Sequence, residues 1–313
     1  MSKKPYVDVI IPTYKPAEKF DLLIQRLSEQ TYEIHEILVI NTEEQYMNSE
    51  KYERFPKLRI VHIKKEQFDH GGTRAMAAKL SGAEIMVFMT DDAVPADEFL
   101  IERLIAPFED DEVGLAYARQ ISDGTADILE EYTRNFNYPE KSRIKSIRDI
   151  NEMGIKTFFC SNACAAYRKD LYSSLGGFVK RTIFNEDMIY ASKVIYSGKS
   201  IAYVAEAEVI HTHHYSCFRL FSRNFDLGVS QTDHPEVFEA VSSEEEGIKL
   251  VRKTAGYLIK SRKPHLIFRL IWESGFKFLG YQFGRHYKGL PIWMIKKMSM
   301  NKEYWKGNAN NVE

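Results

Sequence analysis

Apolar positions along the first hundred residues switch between the spacing of strands and that of helices. Val7 to Ile11 is a short β-branched run closed by Pro12, and Ala17 to Leu27 then sets its apolar residues at helical spacing. Ile37 to Ile40 and Leu58 to Ile63 repeat the strand signal before His70, Gly71 and Gly72 break it. Thr73 is expected to cap a helix through the alanine-rich stretch Ala75 to Leu80. Ile85 to Met89 is almost uninterrupted apolar sequence, the pattern of a strand covered by helices on both faces. Alternating strands and helices predict an α/β fold with a parallel sheet. Ligands of such sheets bind beyond the carboxyl ends of the strands, which directs attention to Pro12 to Lys15, Asn41 to Glu44 and Thr90 to Pro95.

After Val113 to Tyr117 the pattern loosens. Glu130 to Arg148 is charged with no clean period and reads as a surface helix and a mobile loop. Order returns with Phe158 to Tyr167, the turn at Gly176 and Gly177, a helix from Glu186 to Tyr196 and a strand from Ala202 to Ile210. From Lys249 to Lys306 the chain carries 14 lysines and arginines against only Glu273 and Glu303, interleaved with residues such as Phe268, Trp272 and Leu279. That composition predicts basic amphipathic helices.

The 313 residues are 44% hydrophobic and 28% charged, an ordinary globular composition, and the net charge of -1 gives no bias toward nucleic acid. Cys160, Cys164 and Cys217 are too few for a disulfide framework, and Cys160 with Cys164 lacks the second pair of a zinc site. A reducing, cytoplasmic compartment is expected. Lys3 and Lys4 run straight into a strand pattern without an apolar signal region, and no window of about 18 uncharged apolar residues marks a membrane span.

Four constellations can carry chemistry. Asp91 and Asp92 follow a buried-strand pattern directly, and adjacent carboxylates repel unless a positive charge joins them. A hard divalent cation with phosphate oxygens fits that need; alternatively one aspartate caps the next helix and the other is solvated. Asn185, Glu186 and Asp187 open a predicted helix, where acidic residues also complement the dipole. His211, Thr212, His213 and His214 end a buried-looking strand, and an extended chain points His211 and His213 the same way, so either could join Asp92 around a metal. The turn from His70 to Arg74 offers backbone amides and a guanidinium to an anion.

In order, these pieces resemble glycosyltransferase family 2, the inverting GT-A enzymes. Val9 to Tyr14 is similar to the family's first strand and nucleotide loop, Thr90, Asp91 and Asp92 to its aspartate motif, and Asn185, Glu186 and Asp187 to its acidic motif before the acceptor helix. More narrowly, Phe68 to Arg74, the stretch His211 to Ser216 and Phe225 to Gly228 resemble bacterial rhamnosyltransferases that use dTDP-rhamnose.

The resemblance implies a GT-A, Rossmann-like, mostly parallel sheet flanked by helices. Residues 1–230 would form the catalytic domain, 1–110 its nucleotide half and 111–230 its acceptor half, with 231–313 a basic helical extension. Pro12, Thr13, Tyr14, Asn41, Arg74 and Asp91 would contact the nucleotide sugar. Asp92, with His211 or His213, would bind Mg2+ or Mn2+, Asp187 would be the general base, and Glu186 would orient a saccharide or lipid-linked acceptor. The second strand ends in Asn41 where the family usually has an acidic base-reading residue, and Thr90 fills the first position of the aspartate motif. The basic tail suggests attachment to an anionic membrane at the inner face of the plasma membrane, an oligomer contact, or a helical subdomain. A nucleotidyltransferase would want a glycine-rich basic loop after the first strand, which Pro12 to Lys15 does not supply. The same residues also admit a family member that uses a UDP-sugar, and a non-catalytic protein that binds at a membrane surface.

Overall fold

The computed structural model describes residues 4–213, 215–239 and 243–306, so His214 lies outside the described residues. The elements run β1 (Val7–Tyr14), α1 (Glu18–Ser28), β2 (Glu36–Thr42), β3 (Leu58–Ile63), α2 (His70–Leu80), β4 (Ile85–Met89), β5 (Val94–Pro95), α3 (Leu100–Ile105), β6 (Val113–Ile121), α4 (Ile128–Asn137), β7 (Arg143–Lys145), α5 (Ile150–Met153) and β8 (Cys164–Arg168). They continue with α6 (Lys169–Ser174), α7 (Glu186–Tyr196), β9 (Ser200–Ile210), α8 (Cys217–Asp233), α9 (Pro235–Phe238), α10 (Ser243–Lys260), α11 (Leu266–Arg285) and α12 (Ile292–Met298). Two compact units result, one of residues 1–125, 138–180 and 186–212, the other of 126–137, 181–185 and 213–313. The expected division at residue 230 falls inside α8, and the boundary between units lies at Thr212 and His213.

The first unit is built on a nine-stranded sheet in the order β3-β2-β1-β4-β8-β6-β9-β5, with β7 also on β9. The pairs β2–β3, β1–β2, β1–β4 and β6–β9 are parallel, while β8 is antiparallel to both its neighbours. Val7, Val9 and Ile11 of β1 and Val87 and Met89 of β4 share a core with Phe20, Leu23, Ile24 and Leu27 of α1. Each such side chain contributes roughly 1.5–3 kcal/mol of burial, which fixes the registry of the strands and hence the height at which each one ends.

Two local expectations need correction. The cap of α2 is Asp69, not Thr73: the Gly72 amide donates to Asp69 Oδ1 at 2.5 Å, and the Asp69 amide donates to Thr73 Oγ1 at 3.1 Å. This occupies an amide that the glycine turn is expected to offer to an anion. The segment expected to be a mobile loop contains β7, which pairs antiparallel with β9 and buries Lys145. Lys145 donates to the carbonyls of Lys156 and Phe159 and lies over the Tyr117 ring, contacts that no sequence period announces.

The second unit is helical. Gly280 and Gly284 of α11 pack on the backbone of Phe221 and Phe225 in α8, and Gly228 of α8 meets the Tyr281 carbonyl, so an added Cβ at any of the three would collide. Ile183, Phe225, Val229, Ile295 and Trp305 form one of its cores, and Leu129, Leu258 and Leu270 another. Among the described residues no helix is long and apolar enough to cross a membrane.

Candidate active site

The carboxyl edge of the first unit's sheet gathers the acidic residues, and strand registry explains how. In the parallel pair β1–β4, Ile10 lies beside Phe88, so three residues farther on Thr13 meets Asp91. The Thr13 hydroxyl donates to Asp91 Oδ2 at 2.6 Å. Burial, reinforced by the Asp92 charge beyond the opposing Thr13 hydrogen bond, raises the Asp91 carboxyl above its ordinary range. Tyr14, at the end of β1, is exposed and meets Tyr46 edge-on.

Asp92 is brought to His211 by β5, a strand of only two residues. Val94 pairs with Ile210 and Pro95 with Val209 in antiparallel register, which folds the chain just before β5 back toward the residue just after β9. Asp92 Oδ1 stands 3.2 Å from His211 Nε2, and the Asp92 side chain remains 31% exposed. On the other ring nitrogen, His211 Nδ1 lies 2.8 Å from Gln120 Oε1. Gln120 Nε2 donates to the Tyr138 hydroxyl at 2.6 Å and to Ser161 Oγ at 3.0 Å, which assigns its oxygen to the histidine. His211 therefore carries its proton on Nδ1 when neutral and turns the Nε2 lone pair to the carboxylate.

A lone pair set against a carboxylate oxygen needs a proton or a cation between them. Two ligands at right angles on an ion with bonds of about 2.1 Å stand about 3.0 Å apart, close to the separation seen here. Carboxylate oxygen and neutral imidazole suit manganese or magnesium with phosphate oxygens. His213 begins the second unit, two residues along the chain from His211, a reach of at most about 7 Å.

The second acidic pair opens α7. Registry again sets the stage: β8 runs antiparallel to β4 with Cys164 beside Met89, and the Thr90 amide donates to the Ala163 carbonyl at 3.3 Å. Asn162, one residue farther, thus falls at the level of Asp91. Its amide group Nδ2 donates to Glu186 Oε1 at 3.2 Å, and its backbone N–H donates to Asp187 Oδ2 at 3.1 Å. Tyr167 donates to Asn162 Oδ1 at 2.7 Å and fixes the side chain that holds both carboxylates.

Arg74, from α2, reaches the same place. Its Nη1 lies 3.0 Å from Glu186 Oε1 and donates to the His70 carbonyl, and both members of the ion pair are buried. Its Nε has no hydrogen-bond partner. Burial alone would raise Glu186, but Arg74, then His70 and the Asn162 amide, outweigh it and hold Glu186 below its usual range. Asp187 moves the other way, raised by burial and then by the charge of Glu186 beside it. Glu186 is buried while Asp187 is only partly buried, so the second is the one presented to a reactant. Asn185, just before the pair, has φ of 64°, a left-handed conformation that asparagine tolerates.

Asn41 is wholly buried at the end of β2, donating to the Glu43 carbonyl and lying 2.9 Å from His62 Nδ1, with Oδ1 left without a partner. Gln120, which holds His211, and Asn162, which holds Glu186 and Asp187, are site residues that the sequence reading misses. Their one signal is a polar side chain at the edge of an apolar strand, Gln120 after Ala116 to Ala118 and Asn162 before Ala163 to Ala166. A groove of about 880 Å³ lined by Lys4, Tyr32, Glu84 and Arg168 sits at the amino ends of β1 and β4, away from these groups.

The chain matches the model of Glycosyl transferase family 2 over residues 8–176. It is 35% identical to the O-antigen chain rhamnosyltransferase RfbN of Salmonella typhimurium over 98% of this chain and 97% of that one. A second relative, the O-antigen chain rhamnosyltransferase WbaN of Salmonella anatum, is 34% identical over 99% and 97% of the two chains. Among solved structures, a mannosyltransferase from Pyrobaculum calidifontis, in complex with GDP-Man and Mn2+, is similar with a TM-score of 0.56 at 15% identity, covering 97% of this chain and 83% of that one. TarS of S. aureus, residues 1–349, follows with 0.54 at 14% identity and 90% of each chain. Both likenesses establish the GT-A type of fold.

Proposed function

We propose that this chain, which belongs to glycosyl transferase family 2, transfers L-rhamnose from dTDP-rhamnose to a saccharide or lipid-linked acceptor with inversion at the anomeric carbon. That it is a glycosyltransferase of polysaccharide synthesis follows from the family and its nearly full-length relatives; the sugar, nucleotide and stereochemistry are our reading. The naming of both relatives as rhamnosyltransferases supports the donor sugar.

The observation that carries the mechanism is the split between Glu186 and Asp187. Glu186 is neutralised by Arg74 and buried, whereas Asp187 is partly buried with its carboxyl raised, the state of a base that can take a proton near neutral pH. The acceptor hydroxyl gives its proton to Asp187 as its oxygen bonds to the anomeric carbon. On the opposite face the bond from that carbon to the diphosphate oxygen breaks, and the nucleoside diphosphate departs with the electron pair. Magnesium or manganese held by Asp92 and His211, with His213 two residues on, would supply the positive charge that the departing diphosphate requires; the similar mannosyltransferase was solved with Mn2+. Thr13 fixes Asp91 for a ribose hydroxyl, Pro12, Tyr14 and Asn41 lie on the nucleotide side, and Arg74, buried against Glu186, contributes positive charge beside the nucleotide sugar. Glu186 orients the acceptor through the same network. A lipid-linked acceptor would place the work at the inner face of the plasma membrane.

Asp187→Asn is the direct test: transfer should fall about 10³-fold while dTDP-rhamnose still raises the melting temperature in the presence of Mn2+. Undiminished turnover would remove Asp187 from the role. Stabilisation by a UDP-sugar in preference to dTDP-rhamnose would replace the donor.

A further inference from the structure

Helix α11 is apolar on two opposite faces. One face packs within the helical unit through Leu270, Gly280, Tyr281 and Gly284. The other carries Phe268, Ile271, Trp272, Phe278 and Leu279, all exposed, with Phe268 81% and Trp272 64% open to solvent. The spacing of three and four residues puts them in one stripe, and Gly275 between them has open space where a side chain would stand. Its 20 residues extend about 30 Å. A helix apolar all round is ordinarily enclosed by protein or lipid, and a continuous exposed stripe of this size marks an interaction surface.

Charge decides the occupant. Exposed Lys260, Arg262 and Lys263 precede the stripe, and exposed Arg285 follows it, while Lys288 beyond is paired with Asp233. The acidic residues of the region are not available to offset them: Glu273 is paired with Arg269, and Glu303 with Lys306. A second copy of this face would bring basic rims together without acidic counterparts, which disfavours self-association. An anionic lipid surface accepts both features at once, the stripe in the acyl boundary and the basic ends against phosphate headgroups.

We infer that the exposed stripe of α11, from Phe268 to Leu279, lies flat in an anionic lipid leaflet with its basic ends against the headgroups. The inference gives a physical surface to the lipid-linked acceptor proposed above, but it stands on exposure and charge in the helical unit and is tested without donor, metal or acceptor.

The full chain should co-sediment with phosphatidylcholine vesicles containing about a third phosphatidylglycerol and stay in the supernatant with phosphatidylcholine alone. Binding should weaken as salt approaches about 1 M, where the Debye length is about 3 Å. In a Trp293→Phe background, where Trp305 is buried and Trp272 is the exposed tryptophan, emission should shift to the blue and be partly quenched by brominated acyl chains. Replacing the stripe with Phe268→Ser, Trp272→Ser and Leu279→Ser should lower the partition coefficient at least tenfold. Arg262→Glu with Lys263→Glu, both exposed and away from any core, should lower it several-fold without altering the circular dichroism. Absence of binding to the anionic vesicles, or binding that neither set of changes weakens, would overturn the inference. So would a concentration-dependent dimer of the full chain that the serine variant renders monomeric. Loss of transfer with intact vesicle binding would count against the catalytic reading alone.

Discussion

The sheet edge of the first unit holds two pairs of adjacent carboxylates that solve the same electrostatic problem differently. At the end of β4, Asp91 is tied to the Thr13 hydroxyl and raised by burial, and Asp92 faces an imidazole lone pair; the charge of each carboxylate opposes the other. At the start of α7, Glu186 has a resident cation in Arg74 and a clamp in Asn162, and Asp187 alone is left poised. On the proposed reading the first pair would be completed from outside, by an ion, whereas the second is completed by the fold. The difference fits the proposed chemistry: a site that would release a diphosphate product is better served by a removable charge, while a base that would work in every turnover is better served by a permanent one.

Removing the external charge should have the largest effect. Asp92→Asn, or chelation of the divalent ion, should reduce transfer by about 10³-fold or more, with donor-dependent stabilisation lost as well, which separates it from Asp187→Asn. Breaking the internal pair comes next. Glu186→Gln leaves the Arg74 charge buried without its partner, a cost of about 3–5 kcal/mol in unfolding free energy by denaturant titration, and it removes the charge that raises Asp187. Because the base must be unprotonated, the acidic limb of kcat/KM should then move to lower pH; in Arg74→Met it should move to higher pH. Opposite shifts would sink the account of the second pair.

Gln120→Leu should act on the first pair only. Freed from its acceptor, His211 loses its fixed tautomer, and metal affinity should drop about 10–100-fold by titration with Mn2+, with the pH profile of the base unchanged. The smallest effect sharpens the comparison through a carboxylate with neither solution. Asp226, in α8, is pushed up to about 7, chiefly by burial, which outweighs the Ser299 hydroxyl, the Met300 and Asn301 amides and the Arg223 charge. Its folded value lies above the unfolded one, so its contribution to stability is present below about pH 4 and is lost as pH rises through about 7. Thermal melts of the wild type should decline across that window, and Asp226→Asn should flatten the decline by a few degrees.

Much of this is legible in the sequence. Strands at Ile85 to Met89 and Ala202 to Ile210, and the helix at Glu186, follow from runs and periods that burial imposes. Asp91, Asp92, Glu186, Asp187 and His211 are legible because they sit where those patterns end. The supports are not. The place of Arg74 after a glycine turn points to the nucleotide, but its pairing with Glu186 depends on a tertiary contact across more than a hundred residues. Lys145 reads as a loop residue because charge marks solvent in a sequence, whereas in the fold two carbonyls and a ring accommodate it. Gln120 and Asn162 act through side chains far away in the chain, and no local period reports them.

The strand β5 has a second consequence, for solubility rather than chemistry. The outer side of β9 carries only two short segments, β7 at its start and the two residues of β5 near its end. Pro95 has no N–H to offer, and both it and Val94 are buried. That margin presents no continuous row of donors and acceptors on which another chain could add a strand. On this side of the nine-stranded sheet, opposite the β3 edge, strand addition is hindered by the same two residues that bring Asp92 to His211.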